Sequence, residues 1–179
     1  MAQTAGRITF ADNCQPCHGA GGAGRPDYPA LGDDVWLWGG TFEAIQQTVT
    51  AGIRSDHPDT RASQMPAFTG VLTPEELRAM TDHVMGLYGS PLSGADTAAG
   101  AKIYATNCSD CHGDQSQGNH EKGGPRLAAQ VHLYGGDRAS VERQLTRPRM
   151  GMMPAWNTRL DAGTIKALTL YVHQLGGGQ

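Results

Sequence analysis

The sequence is short of charged and aromatic side chains and has no long apolar run. Of its 179 residues, 17% are charged and 6% are aromatic, and its mean hydropathy is −0.42. Because it lacks about 18 consecutive apolar residues, this chain does not itself span a membrane. Its net charge of −3 gives no electrostatic footprint for DNA or RNA. The opening string MAQTAGRITF lacks the apolar core of a signal peptide, so we expect any targeting or anchor segment to lie upstream of Met1.

Core-forming residues are also scarce. Apolar residues make up 39% of the chain, while glycine accounts for 25 of the 179 residues, about twice its average share. This length accommodates one ordinary domain or two small ones. Small domains with so little apolar mass need disulfides, a metal or a cofactor to complete their cores.

The only four cysteines form two pairs, and a histidine follows each pair directly. The motifs are Cys14, Cys17 and His18 in CQPCH, and Cys108, Cys111 and His112 in CSDCH. This C-x-x-C-H spacing is the attachment signature of haem c. Two thiols on one helical turn add to the two vinyl groups of a porphyrin, and the next residue offers its imidazole to the iron. The sequence therefore predicts two covalently bound haem c groups, with His18 and His112 as iron ligands.

Zinc, a redox-active dithiol and a disulfide framework are the competing interpretations of the cysteines. Zinc-binding pairs usually lie 15–20 residues apart, whereas about 90 residues separate these two pairs. A thioredoxin-like dithiol requires a βαβ setting, which the sequence does not suggest. Two C-x-x-C-H copies in matching contexts favour haem.

The matching contexts show that the chain is an internal duplication. Residues 6–13 align with 100–107, and after the motifs PAL aligns with PRL, WLWGG with HLYGG, and QMPAF with MMPAW. A period near 90 residues is too long for a solenoid repeat and suits a small haem domain. We predict domains at 1–90 and 95–179, joined by a turn-rich linker at 91–94. No period-2 pattern of useful length occurs, so each domain is predicted to be all-α, with about three helices around a haem.

Helix-start signals support this fold class. Thr41 and Asp137 are predicted N-caps of helices near 42–51 and 138–147, and Thr73 begins a capping box before a helix with one apolar face. A matching helix follows Asp161, and shorter helices are expected at 5–13 and 98–107.

A low-spin carrier haem needs a sixth ligand, and methionine raises its potential. Met65 and Met153 are the candidates, because each precedes a proline in a loop shortly before the last helix of its repeat. Met80 and Met85 are assigned to core packing. Met150 and Met152 lie close to Met153, which is preferred only because it matches Met65. The sequence leaves open whether each methionine serves the haem of its own repeat or the other one.

Further residues are candidates for supporting the haems. The carbonyls of Pro29 and Pro125, or neighbouring ones, are expected to orient the proximal histidines. Possible propionate donors, each with packing or solvation as the alternative, are Trp36, Trp38, Tyr134, Trp156, Arg54, Arg61, Arg147 and Arg149. The remaining histidines, which are not paired between the repeats and are assigned to the surface or core, are His57, His83, His120, His132 and His173. The segment 54–61 has no counterpart in the second repeat, and is equally consistent with a partner contact and a plain loop extension.

Several strings carry a family resemblance: DDVWLWGG, AGIRSDHP, SQMPAF, HLYGGDR and MMPAW. They resemble the soluble part of the dihaem subunit III of cbb3-type cytochrome c oxidases. The resemblance covers nearly the whole chain and implies two tandem class I cytochrome c domains in the periplasm, tethered to the inner membrane by an upstream segment. It also implies that electrons enter from a soluble cytochrome c and pass to the monohaem and catalytic subunits, so that the chain is not an enzyme by itself. By this resemblance Met65 would complete the first haem site and Met153 the second.

Two other functions stay in view. One is a free-standing periplasmic dihaem carrier with the same ligands. The other is a haem enzyme such as a dihaem peroxidase, which two Met-Pro loops disfavour because that chemistry needs an open iron position. Charge adds a hypothesis: residues 1–93 hold five Lys and Arg against ten Asp and Glu, net −5, whereas 94–179 hold nine against seven, net +2. The first domain would then steer a basic cytochrome c donor.

Overall fold

The structure, a computed structural model, describes residues 1–90, 97–129 and 131–176. Throughout these residues the ordered elements are helices, and β-pairing is limited to isolated bridges, which confirms the predicted all-α class. The longer helices are α1 (Ala2–Asn13), α3 (Phe42–Ala51), α4 (Pro74–Leu87), α5 (Thr97–Asn107), α7 (Arg138–Thr146) and α8 (Ala162–His173). The haem motifs form single turns, α2 (Gln15–His18) and α6 (Ser109–His112). None of the helices in the described ranges is long and apolar enough to cross a bilayer.

The predicted N-caps fix the helix starts. The Thr41 hydroxyl accepts from the Ala44 amide at 3.2 Å, and the Asp137 carboxylate accepts from the Ser140 amide at 3.0 Å. Thr73 forms the full capping box, since the Glu76 side chain accepts from its amide at 2.8 Å. These bonds satisfy amide groups that have no partner inside the helix.

The helices pack into two compact units that do not coincide with the sequence repeats. One unit consists of residues 1–63 together with 151–179, and the other of residues 64–150. The division therefore differs from the predicted domains 1–90 and 95–179; the predicted linker 91–94 lies outside the described residues. Helices α4 and α5 follow each other in the chain and pack on each other, as consecutive helices usually do. This pairing leaves α1 to pack on α8, the last helix of the other repeat.

In the unit that contains residues 1–63, α1 and α8 approach closely at Gly6. A Cβ on Gly6 would lie 2.1 Å from the Ala167 carbonyl oxygen, so no larger residue fits there without displacing α8. One turn later, the rings of Phe10 and Tyr171 lie 5.3 Å apart. The core of this unit consists of Phe10, Cys14, Ile45, Val49, Trp156, Ile165, Leu168 and Val172.

The unit of residues 64–150 repeats this arrangement with α5 and α4. A Cβ on Gly100 would lie 2.3 Å from the Ala79 carbonyl oxygen. Helix α7 also packs on α4, where Arg138 forms an ion pair with Asp82. The core consists of Phe68, Met80, Val84, Met85, Tyr104, Cys108, Val141 and Leu145, so Met80 and Met85 pack as predicted.

Candidate haem-binding sites

Each C-x-x-C-H motif forms one tight helical turn at the end of a longer helix. In the first, the Cys17 and His18 amides donate to the Cys14 carbonyl at 3.1 and 2.8 Å, and the corresponding bonds in the second are 3.2 and 2.9 Å. None of the four cysteines forms a disulfide in the structure. The turn places the two thiols and the histidine of each motif on one short segment, as thioether attachment requires.

The environment of the thiols differs from that of a reactive dithiol. Burial, with a smaller contribution from the neighbouring Cys17, raises the pKa of the Cys14 thiol to about 11. The same causes, with Cys111 as the neighbour, raise the pKa of Cys108 to about 11. Redox-active cysteines have lowered pKa values, whereas a thioether has no proton to lose. Among the described residues, no three His, Cys, Asp or Glu side chains converge as a metal site, so the zinc interpretation gains no geometric support.

The histidines are oriented by the carbonyls that the sequence analysis proposed. His18 Nδ1 lies 3.0 Å from the Pro29 oxygen, and His112 Nδ1 lies 3.0 Å from the Pro125 oxygen. Since a carbonyl only accepts, each Nδ1 carries the proton and each Nε2 keeps a lone pair available for metal binding. Burial lowers the pKa of both imidazoles, partly offset by these bonds, and so favours the neutral ligand form.

Met153 lies in the unit that contains Cys14. Its backbone amide donates to the Ile53 oxygen and its oxygen accepts from the Ile53 amide, both at 2.9 Å. Its partly buried side chain packs against the core that includes Cys14 and Trp156.

Met65 lies in the unit that contains Cys108. It packs, partly buried, against the core formed with Phe68 and Leu145. The Phe68 amide donates to the Leu145 oxygen at 2.9 Å, and the Met65 amide donates to the Met150 sulfur at 3.2 Å. The resemblance implied Met65 for the first haem and Met153 for the second; in the structure Met65 shares a unit with the second motif and Met153 with the first, because α4 and α8 carry their preceding loops into opposite units.

The first haem motif shares its unit with a polar atom that needs a partner. Trp38 is 7% exposed, and its Nε1 is buried without a hydrogen-bond partner. The Arg61 guanidinium lies 5.1 Å from the centre of the same ring. A buried N–H beside a cation matches the carboxylate of a haem propionate. Together with the thiols and the free Nε2 atoms, this donor set fits haem c.

Other predicted supporting residues have different partners. Trp156 is a core residue, and the Arg159 guanidinium lies over its ring. The Arg149 guanidinium lies over the Tyr134 ring in the same way, and Trp36 packs, partly buried, against the core that contains Trp156. Arg54 donates to backbone carbonyls, a role that sequence reasoning missed although the insertion at 54–61 pointed to the region.

The spare histidines mostly lie against other side chains. The His132 ring stacks on Tyr88, with their centres 3.6 Å apart, while His83 lies near Tyr104 and His173 near Phe42. His57 Nδ1 accepts a hydrogen bond from the Asp59 amide, and His120 is exposed. These contacts agree with the surface or packing roles assigned to them from the sequence.

Comparison with known proteins places these sites in context. The family described as "Cytochrome C oxidase, cbb3-type, subunit III" matches residues 2–84 and 95–172. The chain is 50% identical to "Cbb3-type cytochrome c oxidase subunit FixP" of a Bradyrhizobium species over 182 residues, covering 100% of this chain and 63% of the relative. It is 44% identical to "Cbb3-type cytochrome c oxidase subunit CcoP" of Cereibacter sphaeroides, covering 99% and 62%.

The chain thus spans just under two thirds of the length of these relatives. The family match falls in two segments that agree with the tandem cytochrome c repeats and covers most of the chain. On this match, the chain belongs to the subunit III family of cbb3-type cytochrome c oxidases.

Proposed function

We propose that this chain is a dihaem electron relay. It takes single electrons from a soluble cytochrome c and passes them to the monohaem and catalytic subunits of a cbb3-type oxidase. The observation that carries the proposal is the pair of attachment turns, each with a histidine held by a proline carbonyl and a Met-Pro loop packed in the same unit. We also place it in the periplasm, tethered to the inner membrane by an upstream segment, as the family resemblance implies.

When bound, haem c supplies a one-electron Fe(III)/Fe(II) couple. Cys14, Cys17 and His18 would hold the first haem, with Met153 as the further iron ligand. Cys108, Cys111 and His112 would hold the second, with Met65 as the further iron ligand. This crossed assignment rests on the two cores, one shared by Met153 and Cys14 and the other by Met65 and Cys108.

Ligand chemistry supports a carrier over an enzyme. A carrier keeps both axial positions filled, so that the iron changes charge with little rearrangement, and a thioether favours the reduced state. A peroxidase needs one position that substrate can reach. Both methionines of the Met-Pro loops are partly buried against a hydrophobic core, which favours the carrier. The names of the relatives favour an oxidase subunit over a free-standing carrier.

The charged residues are distributed more evenly between the two compact units than between the two sequence repeats. The unit of residues 1–63 and 151–179 holds six Lys and Arg against eight Asp and Glu, net −2, whereas residues 64–150 hold eight against nine, net −1. The large difference between the repeats therefore nearly disappears. Net charge no longer selects one unit as the entry point for a basic donor, so steering of the donor depends on local charged patches.

The test is reduction of the ferric holo-protein by a basic ferrous cytochrome c in a stopped-flow instrument. The alkaline pyridine spectrum should give two haems per chain, both with the far-red band of methionine-ligated ferric haem. We expect both haems to be reduced, with rates that fall as salt increases. Met65→His and Met153→His are matched controls that keep six-coordinate iron but lower one potential each. A high-spin haem that binds carbon monoxide or peroxide readily would contradict the relay.

A further inference from the structure

Shortly before the chain leaves the unit of residues 1–63 and 151–179, it contains an arginine in an unusual backbone conformation. Arg54 has φ +50°, in the left-handed region that arginine rarely adopts. Such a conformation persists where surrounding contacts hold it. Two hydrogen bonds hold this turn: the Arg54 amide donates to the Arg61 oxygen at 2.8 Å, and Ser55 Oγ donates to the Ala51 oxygen at 2.6 Å.

The Arg54 side chain reaches two chain segments. Its Nε donates to the Gly151 oxygen at 2.7 Å, and its Nη1 donates to the Ser63 oxygen at 2.8 Å. Ser63 is the last residue of this unit before the chain leaves it, and Gly151 is the first after the chain returns. One guanidinium therefore joins the segment that leaves this unit to the segment that returns to it. Its hydrogen bonds are charge-assisted and so are stronger than neutral ones.

Arg54 directly follows residues whose backbone contacts the chain around Met153. Its neighbour Ile53 exchanges both backbone bonds with Met153. Gly52, with φ +74°, lies so close that a Cβ would be 2.4 Å from the Met153 oxygen. Residues 52–54 thus contact the returning chain over Gly151–Met153, which we call the methionine loop.

We propose that Arg54 is a positioning residue that fixes the methionine loop, and through it the Met153 thioether, at the haem on Cys14 and Cys17. This inference rests on the proposed function, in particular on Met153 as the ligand of that haem. It assigns a role to the insertion at 54–61: the loop presents Arg54 inward, against the chain that carries the ligand. In the other unit the Met65 amide is held by a thioether, Met150 Sδ, which is a weaker acceptor than a carbonyl.

The test is imidazole competition on the intact dihaem protein, with Arg54→Met as the variant and Arg54→Lys as the conservative one. Methionine that is bound to low-spin ferric haem gives methyl proton resonances shifted far upfield, and Met65→Ala and Met153→Ala assign the two sets. The ferric forms are titrated with imidazole and read in the ferric state, because reduction would let the thioether displace imidazole again. Because haem on Cys108 is in the same molecule, it serves as the internal control.

We expect Arg54→Met to lose the Met153 signal at about tenfold lower imidazole, which corresponds to about 1.4 kcal/mol. The Met65 signal should keep its wild-type midpoint. Arg54→Lys, with one donor group in place of two, should lie in between. If Arg54→Met does not load haem, the selective shift in Arg54→Lys decides the question.

Unchanged midpoints in the variants, or equal shifts at both haems, would overturn the positioning role and leave the relay and its ligands intact. A different result separates failure of the proposed function: if the Met153 signal persists in a Cys14→Ala, Cys17→Ala chain, which binds no haem at the first motif, the crossed ligand assignment is wrong, and the role of Arg54 falls with it.

Discussion

Ile53 and Met153 exchange both backbone hydrogen bonds, each 2.9 Å long, although they belong to different sequence repeats. This pairing anchors the loop of the second repeat in the unit built around the first haem motif. In the other unit, the Phe68 amide reaches the Leu145 oxygen at 2.9 Å, again from the opposite repeat. Each compact unit is therefore assembled from the first part of one repeat and the last part of the other.

The two close helix contacts offer a test of this assembly. Gly6→Ala should disturb the unit of residues 1–63 and 151–179, because its Cβ would meet the Ala167 oxygen of α8 at 2.1 Å. Gly100→Ala should disturb the other unit through Ala79 of α4. Overpacking of this kind costs about 1–3 kcal/mol. Amide hydrogen exchange read by mass spectrometry should show faster exchange in α1 and α8 for Gly6→Ala, and in α4 and α5 for Gly100→Ala. Protection lost in α1 and α4 together would contradict the pairing.

A fragment of residues 64–150 should fold and bind one haem. It contains α4, α5, α6 and α7, the second attachment motif and Met65, all of which pack within one unit. Expressed alone with the haem-attachment machinery, it should contain one haem per chain and show the far-red methionine band. Met65→Ala in the same fragment is the control and should remove the band. A fragment that stays unfolded with haem attached would show that this unit depends on the rest of the chain.

Trp38→Phe should affect the haem on Cys14 alone. The buried Nε1 is a donor suited to a propionate, and a donated bond stabilises the propionate anion. Its loss should raise the pKa of that propionate, so that the pH-dependent step in the potential moves to higher pH. Potentiometric titration across pH measures the step, and the haem on Cys108 provides the reference. An unchanged pH profile for both haems would place the propionates away from Trp38.

Acid stability should depend on the cap of α8. Hydrogen bonds from the Thr164 hydroxyl and amide, with another from Gly163, lower the pKa of the Asp161 carboxyl below its ordinary value. The stabilisation that this lowering contributes is present above the ordinary pKa of about 3.8 and is lost as pH falls through the lower folded value. Asp161→Asn keeps a good N-cap but does not titrate. Circular dichroism during acid titration should therefore show a shallower loss of helix below pH 4 for Asp161→Asn, and identical curves would rule out this contribution.

Much of the local structure follows from individual residues. Thr41, Thr73 and Asp137 predict where helices begin because each accepts from amides that lack a partner in the first turn. The proline carbonyls opposite His18 and His112 follow from the need to fix an iron-binding tautomer. These features depend on short-range chemistry, which a sequence displays directly.

No short-range feature of the sequence predicts that each compact unit combines parts of both repeats. The apolar faces of α4 and α8 have the same spacing, at Leu77, Met80 and Val84 and at Ile165, Leu168 and Val172. This spacing therefore does not specify which of the two helices packs on α1, and the connections between the helices decide it. The contact of Arg54 could not be predicted from the sequence for another reason. Its long side chain reaches Gly151, which is distant in the chain, and no local sequence pattern specifies that contact.

The most direct measurement of the crossed ligand assignment uses a chain that binds haem only at Cys108 and Cys111. In a Cys14→Ala, Cys17→Ala background, the far-red band of the ferric protein reports a single iron, in the unit formed by one continuous segment. Met65→Ala should abolish the band, and Met153→Ala should leave it at wild-type intensity. The reverse result, with Met153→Ala removing the band and Met65→Ala preserving it, would contradict the account.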